Sequence, residues 1–403
     1  MQADLVISSI SRLYTMDPSA TGLGEHRDVS VAFDGGKLCY IGPDAAAPQG
    51  RIQRSGAGLV ALPGLVDCHT HTVWAGSRSD EFQRRLAGTP YTQILEEGGG
   101  ILSTVRHTRA ASTEALTDIA RNRLRAMRRR GVTTVEVKSG YGLTAEDEAR
   151  CLQAARACND TVRVVTTFLG AHAVPPEWRP DRRGYLQHVI DTQLPHCAPF
   201  ADGIDIYCDQ GAFSLDEAEL LLRAGQRHGL TCHIHAEQIA YTGAAQMAAQ
   251  LGAASADHLE RLDRAGAEAM AQSGTVAVML PGAQLYLRDS APPVDMLRQC
   301  GVPMAVATDF NPGTSPVVDL WTCATLACII QGLTVEEAAL GITRHAGMAL
   351  GRADVGWLGA ESVADMVLVA PPPGEPADIA SLIQHMGGAS VRDVIQGGAL
   401  VEL

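Results

Sequence analysis

Apolar and polar positions along this chain follow two rhythms. Across residues 59–311, short runs rich in Val, Ile, Leu, Ala and Thr alternate with longer stretches whose apolar residues recur every three to four positions among Glu, Arg and Gln. The short runs predict eight strands, at residues 59–71 (LVALPGLVDCHTH), 133–141, 162–172, 203–210, 230–238, 253–258, 275–281 and 303–311. The longer stretches predict helices between most of them, among them 112–130, 146–158 and 214–228, with Ser112 placed to cap the first. Strand and helix in alternation imply a parallel α/β sheet, and eight units over about 250 residues are what a closed (β/α)8 TIM-type barrel requires.

The two ends break that rhythm. Residues 4–14, 29–41 (around Asp34-Gly35-Gly36), 365–369 and 391–401 read as strands and hairpins with no helix between them. Both termini are therefore expected to build one small β-domain, residues 1–58 and 355–403, beside a barrel domain of residues 59–354. Residues 72–111 form a long excursion after the first barrel strand, with glycines at 98, 99 and 100, and are expected to act as a lid or binding loop.

Composition narrows the class of partner. The 403 residues are 46% hydrophobic, enough to bury a large core, and 32 Lys+Arg against 45 Asp+Glu leave a net charge of −13. That charge repels phosphate backbones and anionic lipid, so a small molecule, and neither nucleic acid nor a membrane, is the expected partner. The arginines at 121, 123, 125, 128, 129 and 130 have no interleaved aromatics and read as a solvated helix face ending at Gly131. Residues 1–16 carry an acid at Asp4 and no basic leader, and no apolar run reaches 18 residues, so a cytoplasmic protein is expected. Ten cysteines without a C-x-x-C pair read as reduced, mostly buried thiols.

The thirteen histidines cluster where chemistry is expected. In a (β/α)8 barrel the site lies at the C-terminal ends of the strands. The first predicted strand ends Asp67-Cys68-His69-Thr70-His71, which puts two imidazoles on one face. The fifth ends His233-Ile234-His235-Ala236-Glu237-Gln238, and the eighth ends Thr308-Asp309-Phe310-Asn311-Pro312-Gly313. His69, His71, His235 and Asp309 can together hold one zinc or iron ion and leave a position open for water. His233 shares a face with His235 but lies farther from the barrel mouth, and takes a structural reading.

At these residues the chain resembles the amidohydrolase superfamily of metal-dependent hydrolases, whose β-sandwich accessory domain is built from both termini. Further blocks are GSR at 76–78, GGGILSTV at 98–105, EVKSGYGL at 136–143, FLGAHAVPPE at 168–177, SADHL at 255–259 and ATDFNPGTSP at 307–316. They resemble the imidazolonepropionase family, and the resemblance runs through nearly the whole chain. It implies hydrolysis of the ring amide of 4-imidazolone-5-propanoate to N-formimidoyl-L-glutamate in histidine degradation, with one metal ion, Zn2+ or Fe3+, and a homodimer. By the same resemblance, His258 and Asp309 are the acid/base pair and Arg78 binds the propionate. Tyr141, His172 and, in the lid, Tyr91 contact the substrate, while Asn311, Gly313 and Thr314 hold the glutamate portion of the product.

Two positions depart from relatives in the superfamily. A carbamylated lysine that bridges two metals stands at the end of strand four in many of them; here that position reads Tyr207-Cys208-Asp209-Gln210, and Lys138 lies on strand two in a supporting role. One metal is therefore expected. Deaminases place a glutamate three residues after the strand-five ligand, where this chain has Gln238, an amide suited to hydrogen bonding a ring but not to shuttling protons. Glu237 points to the other side of that strand. The competing readings are another cyclic amidase or an aminopurine deaminase on the same scaffold, and a barrel kept only as a metal-binding scaffold.

Overall fold

Two β-sheets organise the chain, seen in a computed structural model that describes residues 2–402 apart from Tyr91, Thr92, Leu95 and Glu96. The N-terminal strands are β1 (Gln2–Tyr14), β2 (Glu25–Asp34), β3 (Lys37–Pro43), β4 (Gln49–Ser55) and β5 (Val60–Pro63). The next strands form the barrel: β6 (Leu65–Asp67), β7 (Val132–Lys138), β8 (Arg163–Ala171), β9 (Gly203–Cys208), β10 (Thr231–Cys232) with β11 (His235–Ala236) as one interrupted fifth strand, β12 (Ser255–His258), β13 (Val276–Met279) and β14 (Met304–Val306). The C-terminal strands are β15 (Met366–Ala370), β16 (Ser390–Gln396) and β17 (Ala399–Val401).

All eight predicted barrel strands pair in parallel and in chain order from β6 to β14. The ring is closed by backbone hydrogen bonds from Asp309 N to His69 O and from His71 N to Phe310 O, both 3.0 Å. Closure continues below them, where the buried Asp67 carboxylate accepts the Thr308 amide at 3.1 Å and the Thr308 hydroxyl at 2.7 Å. Every residue of β7, β12 and β13 is buried, as expected for strands covered by helices on one side and by a filled barrel on the other. Ser112 caps its helix by accepting the Ala115 amide at 3.2 Å.

The terminal strands form the second sheet, in the order β17-β16-β15-β5-β1-β2-β3 with β4 beside β1. One face carries a core of its own, in which Leu5, Ile7, Val31 and Phe33 meet Met366, Leu368 and Ile395. Residues 59–71, expected as one strand, divide at Gly64: β5 joins the terminal sheet and β6 starts the barrel. The chain crosses between the sheets where there is no room for a side chain, since a Cβ on Gly64 would lie 2.1 Å from Thr133 Oγ1.

The arginine-rich helix, Thr113–Arg128, also differs from expectation: Arg121 donates to the Ala157 carbonyl and Arg128 to those of Thr161 and Glu402, and Arg123 departs furthest. Arg123 stacks its guanidinium over Trp74, 3.2 Å from the ring centroid, and donates to the carbonyls of Thr72 and Trp74. It ties the start of the excursion of residues 72–111 to the barrel wall instead of facing solvent. No described helix is long and apolar enough to cross a membrane, and all ten cysteines are free thiols.

Candidate active site

At the mouth of the barrel, ligand-capable nitrogens of His69, His71 and His235 lie within 4.8 Å of one another, all three side chains buried. The Asp309 carboxylate joins them, its Oδ1 3.6 Å from His69 Nε2 and 3.5 Å from His71 Nε2. Donors bound at about 2.0–2.1 Å around a tetrahedral ion are separated by about 3.4 Å, so these spacings fit a single cation. His69 Nε2 is buried without a hydrogen-bond partner among the described residues, as a nitrogen aimed at a metal is. Burial, followed by the nearby positive charges, holds the pKa values of His69 and His71 well below the usual imidazole range, and burial lowers that of His235. Neutral rings are the ligating form. Burial pushes the Asp309 carboxyl up to about 7, a displacement that a cation among these groups reverses. The residues present therefore fit one divalent metal ion.

The backbone is strained to place these groups. Asp309 has φ 49°, His258 φ 80° and Glu237 φ 57°, left-handed conformations unusual for residues with a Cβ, and each stands at the end of a barrel strand.

Behind the ligands stands a buried charge network. Asp257 Oδ2 lies 2.6 Å from His69 Nδ1, and Asp205 Oδ2 lies 2.9 Å from His235 Nδ1. Lys138 Nζ lies 2.8 Å from Asp205 Oδ2, 2.8 Å from Glu136 Oε1 and 3.6 Å from Asp257 Oδ2. Burial opposes the ammonium charge, but the three carboxylates outweigh it and raise the Lys138 pKa. Burial pushes Glu136 up to about 7.

The walls of the site come from other strand ends. A cavity of about 160 Å³ is lined by His71, His235 and Asp309 together with Arg78, Tyr141, His172, Gln238, His258, Asn311 and Thr314. His172 donates through Nδ1 to Gly140 O at 3.0 Å and stacks on His71 with ring centroids 5.1 Å apart. Burial pushes its pKa down to about 3, which leaves a neutral ring facing the cavity. Burial likewise raises the Tyr141 phenol above its usual pKa, so it stays protonated. His258 Nδ1 is 3.8 Å from Glu260 Oε1; burial works against its charge, yet Glu260, Asp309 and Asp257 outweigh burial and raise its pKa.

Arg78 donates through Nε to Glu81 Oε2 at 3.0 Å, and Glu81 Oε1 accepts the Gly100 amide at 3.0 Å, so the glycine run is tied to the arginine. Asn311 is spent on its own loop: Oδ1 accepts the amides of Gly313 and Thr314, both at 2.8 Å, and Nδ2 donates to Asp309 O at 2.7 Å. Gln238 Oε1 accepts the Tyr207 hydroxyl at 3.0 Å.

The predicted site residues thus converge, apart from Gly313, which lies against Arg78 instead of lining the cavity, and Tyr91, which lies outside the described residues. His233 turns away, 3.1 Å from Ser255 Oγ, and buried Glu237 accepts the Ala245 amide at 3.4 Å. Sequence reading missed Asp205, Asp257, Glu136, Glu260, Tyr207 and Ile101. The alternation of GIDIY and SADH places Asp205 and Asp257 on barrel strands, the one signal available for those two.

A family model for the amidohydrolase family matches residues 83–401. The imidazolonepropionase of Ralstonia nicotianae is 48% identical over 96% of this chain and 96% of its own. That of Caulobacter vibrioides is 48% identical over 89% of this chain and 91% of its own. The chain belongs to the imidazolonepropionase family of amidohydrolases. Among solved structures, a zinc-bound adenosine deaminase from Xanthomonas campestris superposes with a TM-score of 0.72, covering 99% of this chain and 93% of that one. At 18% identity, that similarity shows the fold alone. The Ralstonia and Caulobacter imidazolonepropionases thus match this chain over most of its length and most of their own.

Proposed function

We propose that the chain hydrolyses the ring amide of 4-imidazolone-5-propanoate to N-formimidoyl-L-glutamate. The observation that carries this reading is the metal-competent cluster of His69, His71, His235 and Asp309, the last three of which line a cavity together with an arginine suited to a carboxylate. The ion is Zn2+ or Fe3+, since three imidazoles and a carboxylate suit both. When bound, it supplies Lewis acidity toward the ring carbonyl and lowers the pKa of water at the site.

The protein's own groups supply the rest. Arg78 clamps the propionate and sets the ring over the histidine cluster. Asp309 takes a proton as the water oxygen bonds to the carbonyl carbon. His258, its pKa raised, delivers a proton to the ring nitrogen as the C–N bond breaks. The carbonyl carbon becomes the new carboxylate and the leaving nitrogen stays in the formimidoyl group, so one water is consumed and no other reactant is needed. Tyr141, His172 and Gln238 hold the ring through hydrogen bonds, Tyr91 is a further substrate contact, and the loop of Asn311, Gly313 and Thr314 receives the product's glutamate portion. The barrel of residues 59–354 is the catalytic unit and residues 1–58 with 355–403 its β-domain, with β5 as the strand at the joint; the protein works as a cytoplasmic homodimer.

Incubating metal-replete protein with 4-imidazolone-5-propanoate and following the loss of imidazolone absorbance tests this directly. Formation of N-formimidoylglutamate is expected, and no turnover at full metal occupancy would overturn the reading. Gln238 speaks against a deaminase, because an amide cannot shuttle the proton that such chemistry needs.

A further inference from the structure

The buried network of Lys138 reaches further than support for the fold. Its ammonium is completely buried and surrounded by three carboxylates at 2.8, 2.8 and 3.6 Å, an arrangement a protein ordinarily builds around a metal cation. Two of those carboxylates continue directly to metal-facing rings, Asp257 to His69 and Asp205 to His235. Each contact is to Nδ1: the one to His69 is a hydrogen bond at 2.6 Å that fixes a tautomer with Nδ1 protonated and Nε2 free to ligate, while Asp205 Oδ2 faces His235 Nδ1 at 2.9 Å as a charged neighbour outside hydrogen-bond geometry. Third-strand and fourth-strand ends contribute no lysine of their own near these groups. Lys138 is thus the one charge that both arms share.

We propose that Lys138 is the site's built-in cation: a positioning residue that, through Asp205 and Asp257, holds His69 and His235 in ligating orientation and sets how tightly one metal ion is kept. This rests on the metal-site reading above. Physically, removing the ammonium leaves Asp205 and Asp257 without their common partner, free to rotate away from the rings. That removes the carboxylate facing each Nδ1, and the ring can then turn its Nε2 away. His71 stands outside this mechanism, since among the described residues its one carboxylate contact is through Nε2 to Asp309 and none faces its Nδ1.

The test uses Co2+ as the probe in the full-length protein, with affinity measured by chelator competition and ligand geometry by the visible spectrum. Lys138→Met is expected to weaken Co2+ binding by about 10–100-fold and to change the cobalt spectrum, while Lys138→Arg, which keeps the charge, recovers part of both. Because Lys138→Met leaves three buried carboxylates unbalanced, the double variant Glu136→Gln/Lys138→Met is made alongside it. It keeps the net charge of the network and still lacks the ammonium, and it is expected to show the same loss. In the paramagnetic protein, two slowly exchanging imidazole N–H signals are expected, and both exchange rapidly in the variants. A folded double variant with Co2+ affinity within twofold of the parent and both N–H signals protected would overturn the proposal. If neither variant folds, Asp205→Asn and Asp257→Asn decide: unchanged affinity in either overturns it, and a loss in both supports it. Failure of the parent protein to bind Co2+ would sink the metal site itself and is read separately from these comparisons.

Discussion

Gly313 and Arg78 are in such close contact that a Cβ on the glycine would lie 2.1 Å from Nη1 of the guanidinium. The Gly313 backbone is not left-handed, so alanine suits the chain there and only the end of a flexible side chain has to move. Gly313→Ala should therefore fold normally and displace the arginine. KM for the propionate-bearing substrate is expected to rise about tenfold, equivalent to about 1.4 kcal/mol, with kcat nearly constant. Steady-state kinetics check this, and an unchanged KM would move the carboxylate anchor away from Arg78.

Glu260 sets the working range of His258. Its charge helps raise the histidine's pKa against the opposing effect of burial, so His258 holds its proton to higher pH than a free imidazole. Glu260→Gln removes that attraction and lowers the pKa. The alkaline limb of kcat/KM should shift to lower pH while the plateau below it is retained. A limb that stays in place would show that another group donates the proton.

His172 should be silent in the same profile. With its pKa pushed down to about 3 by burial, it is neutral throughout the pH range in which the enzyme works. His172→Ala is expected to lower kcat/KM by about 10- to 100-fold, in the range of a lost charge-assisted or buried hydrogen bond, without moving either limb. A shifted limb would contradict its role as a neutral hydrogen-bonding ring.

Removing the metal should cost both activity and stability. Chelation is expected to abolish turnover and lower the melting temperature. Ligand linkage gives about 2.7 kcal/mol when the free ion is at a hundred times its Kd. Restoring activity with Zn2+ and iron in separate samples, alongside metal analysis of native protein, identifies the physiological ion. Full activity in metal-free protein would exclude the proposed chemistry.

Asp67 closes the ring between the first and last barrel strands. Asp67→Ala leaves the Thr308 amide and hydroxyl buried without their acceptor, at a cost of about 2–4 kcal/mol. Urea denaturation should show a lower midpoint with an unchanged slope. A midpoint equal to the parent's would mean that water replaces the carboxylate.

The barrel and its ligands were legible because both are local signals. Strand periodicity marks β6 to β14, and H-x-H puts His69 and His71 on one face within three residues of sequence. What lay hidden depends on pairing between distant segments: Asp257 is 188 residues from the His69 ring it orients. Arg123 reads as solvated because Trp74, the ring it stacks on, belongs to another element. Gly64 gives no sign that it separates two sheets, because that follows from Thr133 and Asp365 packing against it in space.

The terminal sheet imposes an order on synthesis. As the nascent chain leaves the ribosome, β5 finds β1 almost at once, but its other neighbour, β15, is made only after the whole barrel has emerged. Until then one edge of β5 and the apolar face formed by Leu5, Ile7 and Phe33 remain open to other chains. A ribosome that stalls or terminates after Ala349 but before Met366 therefore releases a chain whose barrel can close but whose exposed strand edge invites aggregation.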